Sequence, residues 1–183
     1  MGIPTLIKTE TASDDASLSF VDGTSDVVLD STYDEYMFVF TDIGPATDGE
    51  SLQMFGSTDT GSTYGITKTT TFFQANHSED DSGAALSYDA GWDLAQSATG
   101  QYLAYQLGNG ADESASGIFH LFSPSSTVYV KHFYSRAMAN YVYDAALDYF
   151  VAGYFNTTSA IDAIKFQMTS GNFDGVIQLY GIS

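Results

Sequence analysis

The chain has no cysteine, so a disulfide framework and a thiolate metal site are both closed to it, and packing and hydrogen bonds must hold it together. That suits synthesis in a reducing cytoplasm and leaves an extracellular life open. Positive charge is scarce: five Lys and Arg stand against 23 Asp and Glu, for a formal net charge of −18. Phosphate binding needs a basic surface, so no nucleic-acid partner is expected, and no anionic membrane surface either. No stretch approaches the roughly 18 apolar residues of a membrane span. Met1 to Lys8 leads into no apolar run of signal-peptide length. No repeat of fixed period is visible.

Catalytic motifs are missing as well. There is no Gly-x-Ser-x-Gly elbow, no Walker loop and no dinucleotide fingerprint. A glycosidase needs two carboxyls roughly 5 to 10 Å apart across a cleft, a condition that a chain this acidic meets by chance. The expectation is a protein that is not an enzyme and uses no cofactor. Asn156-Thr157-Thr158 matches a glycosylation sequon; with no secretory signal it reads as a turn.

What is abundant points to strands. Aromatics reach 15%, almost all Tyr and Phe, and these favour pleated, half-buried surfaces. Gly, Ser, Thr and Asp are frequent, which implies many turns and many short strands. Alternation predicts strands over 18–20, 36–41 and 52–54, then over a Thr-rich run at 65–73. The last two read as one hairpin with a longer loop. Both faces of Tyr36 to Thr41 are apolar, as in a central strand covered on two sides. Further strands are expected at 117–122, 127–135, 149–155, 161–168 and 175–182. In 127–135 Val128, Val130, His132 and Tyr134 would share one face.

Two segments read differently. Residues 1–17 are read as an N-terminal arm, polar and acidic from Thr9 to Ser17. Residues 75–110 form a long loop region, with a strand possible at 101–107 and a short helix possible around 91–97. Such segments usually contact something. The remainder, 18–183, is read as one domain, an all-β antiparallel β-sandwich of jelly-roll type. Phe38, Phe40, Tyr129, Phe133, Ile164, Phe166 and Leu179 are its expected core.

Among candidate sites, His120 and His132 fall inside strand patterns and suit packing. His77 precedes Glu79, Asp80 and Asp81 in an acidic loop. Clustered carboxylates attract hard cations, but the spacing matches no EF-hand, and a solvated loop accounts for the same residues. Exposed aromatics could stack on sugar faces, although core packing uses the same side chains.

Several stretches resemble a family of uncharacterised virion structural proteins of phages that infect aquatic bacteria, cyanobacteria included. They are Ser31 to Tyr36, Thr70 to Ala75, Ser123 to Phe133, Val151 to Asp162 and Ser170 to Ile182. The most specific is a final strand ending Leu179-Tyr180-Gly181-Ile182 after a Ser170-Gly171-Asn172 turn. The resemblance runs from about Leu6 to the C-terminus. It implies a structural particle protein located in the virion and carries over no functional residue. The expected role is capsid decoration, a cement protein contacting the major capsid protein or other virion subunits. A homotrimer is the expected oligomer, since such proteins sit at symmetry axes. The alternative is a tail or fibre component that binds host glycans.

Overall fold

A run such as Tyr36-Met37-Phe38-Val39-Phe40 puts all three of its aromatics, every second residue, on one side of an extended chain. Burying that side is what orders the strand: a fully buried Phe is worth about 1.5–3 kcal/mol. The computed structural model describes residues 2–183 and, among them, contains strands and no helix. The strands are β1 (Thr5–Asp15), β2 (Ser17–Val21), β3 (Glu35–Pro45), β4 (Glu50–Ser57), β5 (Lys68–Ser78) and β6 (Ala84–Tyr88). They continue with β7 (Gln101–Leu107), β8 (Ala115–Phe122), β9 (Lys131–Tyr141), β10 (Ala145–Phe155), β11 (Ala163–Met168) and β12 (Phe173–Ile182).

The fold is all-β, with every strand pair antiparallel. One run of neighbours is β1-β12-β3-β8-β9-β10-β5-β6, and a second is β7-β4-β11-β2. The two join where Leu107 of β7 pairs with Tyr141 of β9. They approach again where β1 passes into β2 across Ala16. There Asp14 adopts a left-handed φ of 58°. Its N–H donates to Asp174 Oδ1 at 2.8 Å, and its carbonyl accepts from Asn172 Nδ2 at 2.7 Å. Such a bend lets one extended segment pair with β12 first and β11 second. The result is a nearly closed arrangement, compatible with a jelly-roll-like sandwich.

Side chains from the two runs interdigitate. Phe20 of β2 lies 5.2 Å from Phe38 of β3, and Phe166 of β11 sits 5.3 Å from Phe38 and 5.0 Å from Phe40. All are steep edge-to-face contacts, the geometry aromatic quadrupoles prefer. A second cluster holds the β5 end. Phe72 meets Tyr149 at 5.8 Å and Trp92 at 5.5 Å. The buried Tyr149 hydroxyl donates to the Tyr105 carbonyl at 2.5 Å, and burial drives its pKa far up.

Two lysines are fully buried with no carboxylate beside them. Lys68 Nζ donates to the Ile66 carbonyl at 3.1 Å and stands 5.7 Å from the Phe55 ring and 5.9 Å from the Phe155 ring. Lys131 Nζ donates to the carbonyls of Tyr129, at 2.9 Å, and Thr157, at 3.4 Å. Burial lowers both pKa values, that of Lys68 to about 8.

Four expectations are corrected. The polar lead-in is β1, paired with β12 from Thr5 to Asp15; a strand at the end of the order packs on one side only, so its sequence looks like an arm. The 75–110 region is not mainly loop: it carries the end of β5 and then β6, while β7 falls on the strand read at 101–107, and residues 91–97 are turns rather than a helix. Residues 52–54 and 65–73 form no hairpin, since β4 pairs with β7 and β11 while β5 pairs with β10 and β6. Tyr129 is not core but 73% exposed. It lies in a turn where Ser126 Oγ accepts from the backbone N–H groups of Val128 and Tyr129, and β9 begins only at Lys131.

Candidate interaction face

Pairing places the outward residues of the eight-strand run in rows. One row reads Leu6, Tyr180, Met37, His120, Tyr134, Ala152, Thr71. The next reads Thr9, Gln178, Val39, Ile118, Arg136, Phe150, Phe73, Tyr88. On one flank lie Ile182, Glu35 and Phe122, with Tyr154 between His132 and Thr69. On the other lie Ser116, Met138, Asp148, Ala75 and Leu86.

These rows are unusual for a solvent face. Phe73 and Phe150 stack in parallel at 4.8 Å, 3° apart. The Arg136 guanidinium lies 4.9 Å over Phe150, a cation–π contact. Tyr134 is 41% exposed, Met138 60% and Leu86 74%. Of the 23 Asp and Glu in the chain, the rows hold only Glu35 and Asp148, and both are paired. Asp148 accepts from Arg136 Nη2 at 2.6 Å and from Nε at 3.0 Å, a two-pronged bond that raises the Arg136 pKa. Glu35 bonds His120 Nδ1, and the His120 ring stacks on Tyr134 at 4.5 Å. Burial, and then the Glu35 charge, push the Tyr134 phenol upward.

Ala152 and Gly153 supply little bulk between Tyr134 and Tyr154, and a shallow recess of about 440 Å³ opens there, walled also by Phe122 and His132. A second recess of about 310 Å³ adjoins it, bounded by Phe73, Tyr134, Arg136 and Phe150. Aromatic walls without free charge suit apolar surfaces, whether of a protein or of a sugar ring.

The carboxylates picked out in the sequence lie elsewhere. Glu79, Asp80 and Asp81 are exposed in the turn after β5. Asp80 accepts from the Ser82 N–H at 2.9 Å; the Ser82 side chain and then that N–H lower its pKa by hydrogen bonding, and His77 Nε2 stands 3.4 Å from Asp81. Among the described residues no three His, Asp or Glu side chains are arranged to hold a metal ion. Of the histidines read as strand residues, His120 is nearly buried and His132 exposed. The sequence reading missed the weight of Phe73, Arg136 and Phe150. Alternation in His132-Phe133-Tyr134-Ser135-Arg136-Ala137-Met138 carries a signal for them: the outward positions are large and the inward ones shrink to Ser135 and Ala137.

The chain matches no protein-family model and no curated protein. One solved structure shares limited likeness, a structural-genomics protein of unknown function from Bacteroides ovatus. Its TM-score is 0.30 at 8% identity, over 57% of this chain and 45% of that one, a likeness that carries no argument.

Proposed function

We propose that this chain is a structural subunit of a bacteriophage particle, serving as a capsid decoration protein. One observation carries the reading: a broad aromatic face whose two carboxylates are both paired, on a domain of net charge −18. The acidic remainder keeps subunits and particles dispersed, while an apolar face of this breadth marks a place of assembly. The resemblance of the Ser170 to Ile182 strand to phage virion proteins points the same way.

The test is co-expression with the major capsid protein encoded on the same genome, followed by cryo-EM of the shells. Density for a 19.7 kDa subunit on the outer surface is expected. Its absence from such shells, and from virions analysed by mass spectrometry, refutes the reading. The tail or fibre alternative is favoured only by the recess between Tyr134 and Tyr154, which would stack on a sugar. It requires that recess to stay open, and a host-glycan array decides it.

A further inference from the structure

We propose that the outer face of the eight-strand run is covered by a second copy of this chain, so that the protein self-associates face to face. The inference rests on the reading of the chain as an assembly subunit and names the surface and its occupant.

Area comes first. At strand spacings of about 4.8 Å and row spacings of about 6.8 Å each outward residue covers roughly 33 Å². The four rows together cover about 850 Å², close to the roughly 800 Å² per partner of a standard stable interface. A contact of this size needs no groove beyond the sheet itself. The recess beside Tyr134 is where a facing side chain inserts.

Charge then selects the partner. Removing Glu35 and Asp148 from 23 acids leaves 21 carboxylates outside these rows. Two copies meeting across surfaces that hold those carboxylates oppose like charges. Across this face they oppose far fewer, because only Glu35 and Asp148 lie on it, Asp148 is offset by Arg136, and Glu35 is hydrogen-bonded to His120. A cationic partner would choose the acidic surfaces instead. The fitting occupant is largely aromatic and carries little unbalanced charge over the same breadth, which describes the same face of a second copy. Such a self-complementary contact closes around a two-fold axis. It brings Tyr134, Phe150 and Met138 of one copy onto the matching rows of the other.

Sedimentation velocity on the free protein tests this without any capsid. At about 100 µM, above the micromolar dissociation constants at the weak end for interfaces of this size, the wild type should sediment as a dimer, at twice 19.7 kDa. Ala152 is exposed at the centre of the face, so Ala152→Glu plants an unpaired carboxylate there. It should raise the dissociation constant at least tenfold. Ser62→Glu, on an exposed loop, should change nothing. Met138→Lys repeats the test if Ala152→Glu fails to fold by circular dichroism. A wild type that stays at 19.7 kDa, or a multimer indifferent to both face variants, overturns the inference. A monomer that nonetheless decorates capsid shells overturns it while the particle reading stands. An Ala152→Glu-sensitive multimer absent from shells and virions upholds it and sinks the particle reading.

Discussion

Replacing Lys68 by Met should stabilise the protein at neutral pH, and the gain should fade as pH rises. Lys68 is fully buried, and its pKa falls from 10.5 in the unfolded chain to about 8, because burial penalises the ammonium. Each tenfold shift in that equilibrium is worth about 1.4 kcal/mol, so holding the charge inside costs about 3 kcal/mol. The sign follows from the direction. Below pH 8 both states bind the proton and the full cost stands. Between pH 8 and 10.5 the unfolded chain binds more protons than the folded one, so wild-type stability rises with pH. By pH 10 about three quarters of the cost is relieved.

Met keeps the unbranched length without the charge, and loses one hydrogen bond to Ile66 worth about 1 kcal/mol. The net gain near pH 7 is about 2 kcal/mol. At roughly 2–4 °C per kcal/mol for a chain of this size, Tm should rise by about 4–8 °C. Differential scanning calorimetry of both proteins from pH 6.5 to 10 reads the gap directly. Lys8→Met, at a partly exposed lysine, is the control. A gap constant with pH, or a destabilised Lys68→Met at neutral pH, refutes the reasoning. The scan stops at pH 10 because the buried Tyr36, raised to about 12 by burial and then by Asp30, reverses the trend above it. The unfolded phenol then ionises first, and stability falls.

Other outcomes follow from the same structure. Tyr149→Phe strands the Tyr105 carbonyl beside an apolar ring and should lower stability by about 1–3 kcal/mol in a urea melt. Phe166→Ala removes the ring that meets Phe20, Phe38, Phe40 and Phe119; it should cost about 3–5 kcal/mol, measured as a shift in the urea midpoint. Tm should climb with NaCl as the Debye length shrinks from roughly 30 Å at 0.01 M to about 8 Å at 0.15 M; a flat curve means the carboxylates repel too weakly to matter. At matched ionic strength CaCl₂ should add nothing to Tm, since Glu79, Asp80 and Asp81 stand exposed in a turn; an extra rise with Ca²⁺ refutes that.

Strands that lie over the core were legible because one side of each is closed. Ile164, Phe166 and Met168 alternate with Lys165 and Gln167; Ile164 and Phe166 are buried as expected, and Met168 with them. Strands at or beyond the core's edge were not. In β1 only Ala12 is buried, so no period of two stands out against Thr and Asp. In β6 every residue but Ser87 is exposed, and pairing with β5 alone orders it. Pairing partners were misread for another reason: adjacency in sequence suggested that β4 and β5 form a hairpin, whereas β4 finds β11, over 100 residues later. The interaction face was half-visible. Its aromatic content showed, and so did one outward side: Phe133 reads as core with His132 and Tyr134 on the opposite face, and they lie so. The outward Phe73 and Phe150 had no such assignment, because Phe72-Phe73 and Tyr149-Phe150 each offer an aromatic to both sides.

The position of β12 has a consequence in time. It lies between β1 and β3, so neither of those early strands has that neighbour until residues 173–182 are synthesised. At about 5–20 residues per second, β3 waits on the order of ten seconds after its own synthesis. Throughout that interval Tyr36, Phe38 and Phe40 lack their final cover. The nascent chain is then an open apolar edge in a crowded cell, and the carboxylates already synthesised, those of β1 first, guard it against pairing with another of its kind.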